Sequence, residues 1–238
     1  MKAYHLPRRP VLLLLTLTLC VPAWTAAQQI PSPEQFFGHQ MGADRQLARW
    51  DKLVEYYDMI GERSDRVQVV HMGPSTLGNP FLSIFVSSPE NLANLDEIKR
   101  MNAILQDPRG HSEAEVDNAI ENSKVVFVQS YGLHSTEVAA SQSAAEIMYD
   151  FATRNDDGIN EILDNTVSIL IPAFNPDGNI IVTDWYNRWV GTEYEGSGPP
   201  ELYHHFIGHD NNRDAFMQAT IESWYGAEIL FREWVPQA

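Results

Sequence analysis

The chain has 238 residues, 44% of them hydrophobic and 11% aromatic, with 14 Gly, 14 Pro and 20% charged residues, which excludes disorder, collagen and coiled coil. Sixteen Lys and Arg against 32 Asp and Glu give a formal net charge of -16, which opposes nucleic acid and anionic bilayer surfaces as partners. The single Cys leaves no intramolecular disulfide.

Residues 1–27 read as a secretory signal peptide. Lys2, Arg8 and Arg9 form a basic start, residues 11–21 an apolar run, and Thr25, Ala26 and Ala27 a small-residue cleavage site. The apolar run is too short to span about 30 Å of hydrocarbon, so a protein exported to the periplasm or exterior, with no membrane span, is expected. Without this segment the net charge is -19 and no Cys is left.

Residues 28–42 read as an irregular arm. Leu47, Trp50, Val54, Tyr57 and Ile60 recur every three to four residues, which predicts an amphipathic helix over 43–63. Residues 67–72 and 81–86 are β-rich runs on either side of Ser75 to Asn79, a hairpin pattern. A helix carried by Leu92, Leu95, Ile98 and Met101 follows Pro89, and residues 107–122 are a polar stretch. Two apolar runs, 125–128 and 167–171, flank a helical pattern over 138–151, which suggests parallel strands buried on both faces. The fold class expected is α/β: a mixed parallel and antiparallel sheet with helices on both faces, in one domain over 43–238.

Three motifs follow in order. His134 and Glu137 stand three apart after the first apolar run, where a helix start would let nitrogen and oxygen converge on one ion, a donor pair that suits zinc. Their spacing alone equally fits a helix-capping Ser135 between a surface His and Glu. Asn175-Pro176-Asp177-Gly178 follows the second run and reads as a tight turn. The third motif runs from Gly208 to Asp214, where Asn212 and Arg213 could grip a carboxylate or form an ordinary polar loop.

Taken together, the three motifs resemble those of the zinc carboxypeptidases, the M14 metallopeptidases of the carboxypeptidase A type, and the leading arm resembles that of large secreted bacterial members. The resemblance implies that His134 and Glu137 are Zn2+ ligands, with Asp210 holding the ligand His from behind. It implies further that Asn212 and Arg213 bind the substrate's terminal carboxylate and that Arg188 polarises the scissile carbonyl, although its spacing is off by a residue or two. The family's third ligand, a His on a later strand, and its downstream general-base Glu have no counterpart before Ala238. His204, His205 and His209 flank the Asn-Arg loop and do not lie on that strand.

After a helix expected over 214–234, the last four residues read as an interrupted strand entry, so a fragment inactive on its own is expected. The implied activity is removal of C-terminal residues from peptides or proteins. The alternatives are a non-catalytic exported module that binds carboxylates, and a zinc amidase.

Overall fold

The computed structural model describes residues 29–208 and 211–238. The proposed signal segment therefore lies outside the described residues, as do His209 and Asp210. Among the described residues no helix is long and apolar enough to cross a membrane.

Four strands form one sheet in the order β1-β2-β4-β3. β1 (Val67–Pro74) and β2 (Pro80–Val86) make the expected antiparallel hairpin. β4 (Thr166–Ile171) runs antiparallel to β2 and parallel to β3 (Val125–Ser130). β-Branched and aromatic residues fill these runs, and strand alternation sends their side chains to opposite faces. Leu82, Ile84, Val86 and Leu170 enter one core; Phe81, Phe85, Val167, Ile169 and Ile171 enter the other. β2 and β4 are covered on both sides. β3 is not, contrary to expectation: it lies at the end of the sheet order, and Val125 is 49% exposed. Along β3, Gln237 donates to the Val126 carbonyl and Val128 to the Ala238 carbonyl.

The first core packs beneath α2 (Trp50–Arg63), α6 (Ala139–Thr153) and α7 (Asp157–Asn165). α2 starts seven residues later than its apolar spacing suggests, because Arg45 adopts a left-handed φ of 62° that a helix cannot include. Within the arm, α1 (Pro33–Phe37) is capped by Ser32, and Phe36 and Phe37 pack on Tyr56. The opposite core packs beneath α4 (Leu95–Gln106) and α5 (Glu113–Asn122). A break at Asn94 separates α4 from the short α3 (Pro89–Ala93), so the single helix expected after Pro89 is two.

The stretch 107–122, expected to be merely polar, holds α5. Its start is set by a reciprocal capping box between Ser112 and Glu115. Only Val116 and Ala119 turn toward the second core, so periodicity carried little signal there. α8 (Pro176–Trp189) arises where the sequence suggested a turn. The helix expected over 214–234 begins only at Ile221, as α9 (Ile221–Ala227) followed by a π-helical turn at Glu228–Glu233, while Asn211–Asp214 is a separate 3-10 turn.

Trp50 is fully buried and donates from its indole nitrogen to the Pro80 carbonyl at 2.8 Å, tying α2 to the start of β2. Trp50→Ala should lower the free energy of unfolding by about 3–5 kcal/mol, the usual cost of deleting a buried aromatic. Urea titration checks this, and a loss below about 1 kcal/mol would show that this seam contributes little.

Candidate metal centre

β3 and β4 continue as neighbours past their ends, for Tyr131 donates to Ile171, Phe174 to Tyr131 and Asn175 to Gly132. These bonds hold the turn after β3 and the start of α8 side by side. Gly132 sits at φ 59° with a Cβ position only 2.6 Å from the Ser141 hydroxyl, so both its backbone angle and its surroundings require glycine.

Two residues on, His134 and Glu137 form the turn itself, closed by a 3.0 Å bond from the Glu137 amide to the His134 carbonyl. His134 Nδ1 stands 3.1 Å from Glu137 Oε1. His134 Nε2 is turned into the protein, out of solvent. α6 begins only at Ala139, so a turn rather than a helix start brings the pair together. A tetrahedral zinc with nitrogen and oxygen donors at about 2.0–2.2 Å holds those atoms roughly 3.3 Å apart, so the pair fits a shared ion. Among the described residues, no group of three or more His, Cys, Asp or Glu could hold a metal.

Each residue of Asn175-Pro176-Asp177-Gly178 has a structural task. Asn175 caps α8 by accepting from the Gly178 amide at 2.9 Å, and its Nδ2 donates to the Tyr203 carbonyl at 3.2 Å. Pro176 occupies the first turn, where no amide proton is needed. Asp177, 2% exposed, accepts from the Leu77 amide at 2.8 Å, from Asn79 Nδ2 at 2.7 Å and from the Ser75 hydroxyl. Gly178 lies flat against Ser135, leaving no room for a Cβ. The motif thus fixes the His134–Glu137 turn against the hairpin.

A second buried carboxylate holds the other side of that hairpin turn. Glu222 of α9 accepts from the Thr76 amide at 2.7 Å, the Thr76 hydroxyl at 3.0 Å and His204 Nε2 at 3.4 Å. His204 Nδ1 accepts from the Phe206 and Ile207 amides, so both ring nitrogens are engaged within the fold and neither faces an ion. His205 is exposed against Phe206. Burial works to raise the Glu222 carboxyl, but the bonds from His204 and Thr76 outweigh it and leave it below the usual glutamate range. Asp214 is lowered in the same way, burial being outweighed by the Ala219 and Thr220 amides and the Thr220 and Ser223 hydroxyls.

Asn212 and Arg213 are exposed on the 3-10 turn, and Asn212 shares a cavity with Leu133, the neighbour of His134. Arg188 is placed differently. It occupies the last turn of α8, ten residues and about 15 Å of helix beyond Gly178, with its guanidinium over the Trp185 ring at 5.7 Å. Sequence reasoning missed Asp177 and Glu222 as buried anchors, because turn-forming Asp and helix-borne Glu look the same whether they are solvated or buried.

Gly178→Ala should destabilise the fold by about 1–3 kcal/mol through overpacking against Ser135, measurable by thermal or urea unfolding. Glu222 carries a pH signature. With its folded pKa below its unfolded value of about 4.3, its stabilisation is complete above that value and is lost as pH falls through the folded pKa. Glu222→Gln should therefore lower Tm at pH 7 and flatten the decline of Tm below pH about 4. An acid limb as steep as that of the wild type would refute the assignment.

The zinc carboxypeptidase family profile, peptidase M14, matches residues 53–228. No curated protein matches the sequence. Among solved structures, the carboxypeptidase A of Helicoverpa armigera is similar at 15% identity and a TM-score of 0.48, over 84% of this chain and 48% of that one. Thrombin activatable fibrinolysis inhibitor is similar at 14% identity and a TM-score of 0.40, over 63% of this chain and 34% of that one. The bovine form in complex with tick carboxypeptidase inhibitor matches at 15% identity and a TM-score of 0.36, over 58% and 34%. The chain thus spans less than half the length of these structures. The profile covers most of the 238 residues, both strands that precede the motifs and the motifs themselves, and the chain belongs to the zinc carboxypeptidase family.

Proposed function

We propose that this chain carries the metal-binding and carboxylate-binding parts of an exported zinc metallocarboxypeptidase that removes residues from peptide C-termini. The observation that carries the reading is the 3.1 Å approach of His134 Nδ1 and Glu137 Oε1 beyond the end of β3, in a member of this family. The carboxyl ends of parallel strands are the usual ligand position in open α/β sheets.

On this reading His134 and Glu137 supply two of the metal's donors. A third donor has to come from outside the described residues, which contain no such trio. Asp210 orients the imidazole from its other ring nitrogen, fixing tautomer and basicity. Asn212 and Arg213 hold the substrate's terminal carboxylate, Arg213 through a planar fork that pairs two oxygens at once. Bound zinc would polarise the scissile carbonyl and lower the pKa of its water toward 7. Arg188, on the last turn of α8 over the Trp185 ring, is given no role in this reading.

Zinc titration by calorimetry tests the centre. Wild type should bind one ion, and His134→Ala or Glu137→Gln should each weaken binding at least tenfold. Unchanged binding in both variants would remove the centre and favour the carboxylate-binding module. Arg213 is tested separately. Charge-assisted bonds contribute about 1.5–3 kcal/mol each, so Arg213→Ala should weaken binding of a free-acid dipeptide more than tenfold and leave its C-terminal amide little changed. Equal losses on acid and amide would mean that Arg213 does not read the carboxylate.

A further inference from the structure

A trough of about 340 Å³ opens at the Glu137 end of the His134–Glu137 turn. Thr136 and Val138 line it together with Trp185 and Tyr186 of α8, Leu47 and the loop 196–199. None of its lining residues is charged, although the chain carries a net charge of -16. Two carboxylates next to it in sequence are already matched, for Asp184 pairs with Arg49 at 2.8 Å and Glu195 with Arg45 at 2.9 Å.

The aromatic residues of the trough are fixed by the fold itself. Trp185 donates from its indole nitrogen to the Ser197 carbonyl at 3.0 Å and meets the Trp189 ring edge-on at 5.7 Å. The Tyr186 hydroxyl bonds Glu195 at 3.3 Å. Both residues are half-buried, so each ring is held in place and still reachable, the usual condition of a preformed binding wall.

We infer that this trough receives the side chain of the third residue from the C-terminus of a peptide, and that it selects an aromatic or aliphatic one. The identification rests on the carboxypeptidase reading, in which Asn212 and Arg213 hold the last residue and an ion at His134 and Glu137 takes the scissile carbonyl. The cavity lined by Asn212 meets the turn at Leu133, just before His134, and the trough meets it at Thr136 and Val138, on either side of Glu137. A chain that enters the turn from the first cavity therefore leaves it toward the trough. The penultimate residue carries the scissile carbonyl, which makes the residue before it the first that is free to turn aside. The volume exceeds the roughly 150 Å³ that holds a benzene ring, so an aromatic side chain fits with part of its backbone. A charged side chain would give up its hydration without meeting an opposite charge.

The test uses the metal-free chain labelled with 15N and three acetylated tetrapeptides of sequence Gly-X-Gly-Leu, with phenylalanine, glutamate or glycine at X. The Trp185 indole N–H signal, identified by its loss in Trp185→Phe, should shift and saturate with the phenylalanine peptide. That peptide should bind at least tenfold more tightly than the other two, as expected for an aromatic ring moved out of water. Trp185→Ala should abolish the gain. Gly198→Trp should abolish it by filling the trough, and it serves if Trp185→Ala fails to fold, because nothing lies within 4 Å of a Cβ at Gly198. No saturable shift in the millimolar range, equal binding of the phenylalanine and glycine peptides, or a gain that survives in Gly198→Trp would overturn the proposal. The two readings separate cleanly. Failure of zinc to bind with the phenylalanine preference intact would sink the peptidase and leave an apolar peptide trough, whereas zinc binding without that preference would sink only the trough.

Discussion

Asp177 sits almost wholly out of water at the first turn of α8, and the surroundings of the candidate centre depend on how its charge is satisfied. An unpaired buried carboxylate would be prohibitive. The fold answers with the Leu77 amide, the Asn79 side-chain amide and the Ser75 hydroxyl, all from the single turn that joins β1 to β2. The N-terminal end of the helix adds a favourable dipole. Because no Lys or Arg is involved, the pairing is directional, and it fixes the position of the turn as well as offsetting the charge.

That turn then serves as a joint between elements far apart in sequence. Ser75, Leu77 and Asn79 face Asp177, while Thr76, between them, gives its amide and hydroxyl to Glu222. Two buried carboxylates are thus held on opposite sides of one five-residue loop, each with its own donors. Through Asp177 the loop positions α8, whose Gly178 backs onto Ser135 in the His134–Glu137 turn. Through Glu222 it positions α9, which bounds the cavity containing Asn211. Loss of either carboxylate would leave unmatched backbone donors as well as a displaced helix, so the effects should not be additive.

The fold was readable where periodicity was strong. All four strands and the hairpin were legible as apolar runs, since residues such as Leu82, Ile84, Ile169 and Leu170 have nowhere to go but a core. α5 was not, because its helical state depends on the Ser112 cap more than on an apolar stripe, and α7, whose stripe of Ile159, Ile162 and Leu163 spans only nine residues, was too short to stand out. α8 was hidden for a related reason: Asn, Pro, Asp and Gly favour turns in isolation and helix starts equally well when Asn caps the next amide. In the site, the closeness of His134 and Glu137 was legible from their spacing, although a turn and not a helix achieves it. The burial of Asp177, Glu222 and Asn211 was not, because burial of a polar side chain is decided by distant segments that supply or withhold its partners.

The acidic composition and the neutral cavity are compatible once distance is considered. At physiological ionic strength a charge is screened beyond about 8 Å, so a net charge of -16 spread over the surface acts mainly on approaching ions. It favours cations near the exposed Glu137 and disfavours acidic peptides at long range. Inside the cavity the field is set by what lines it, which is uncharged throughout. An ion that enters the cavity therefore meets no fixed charge in its wall.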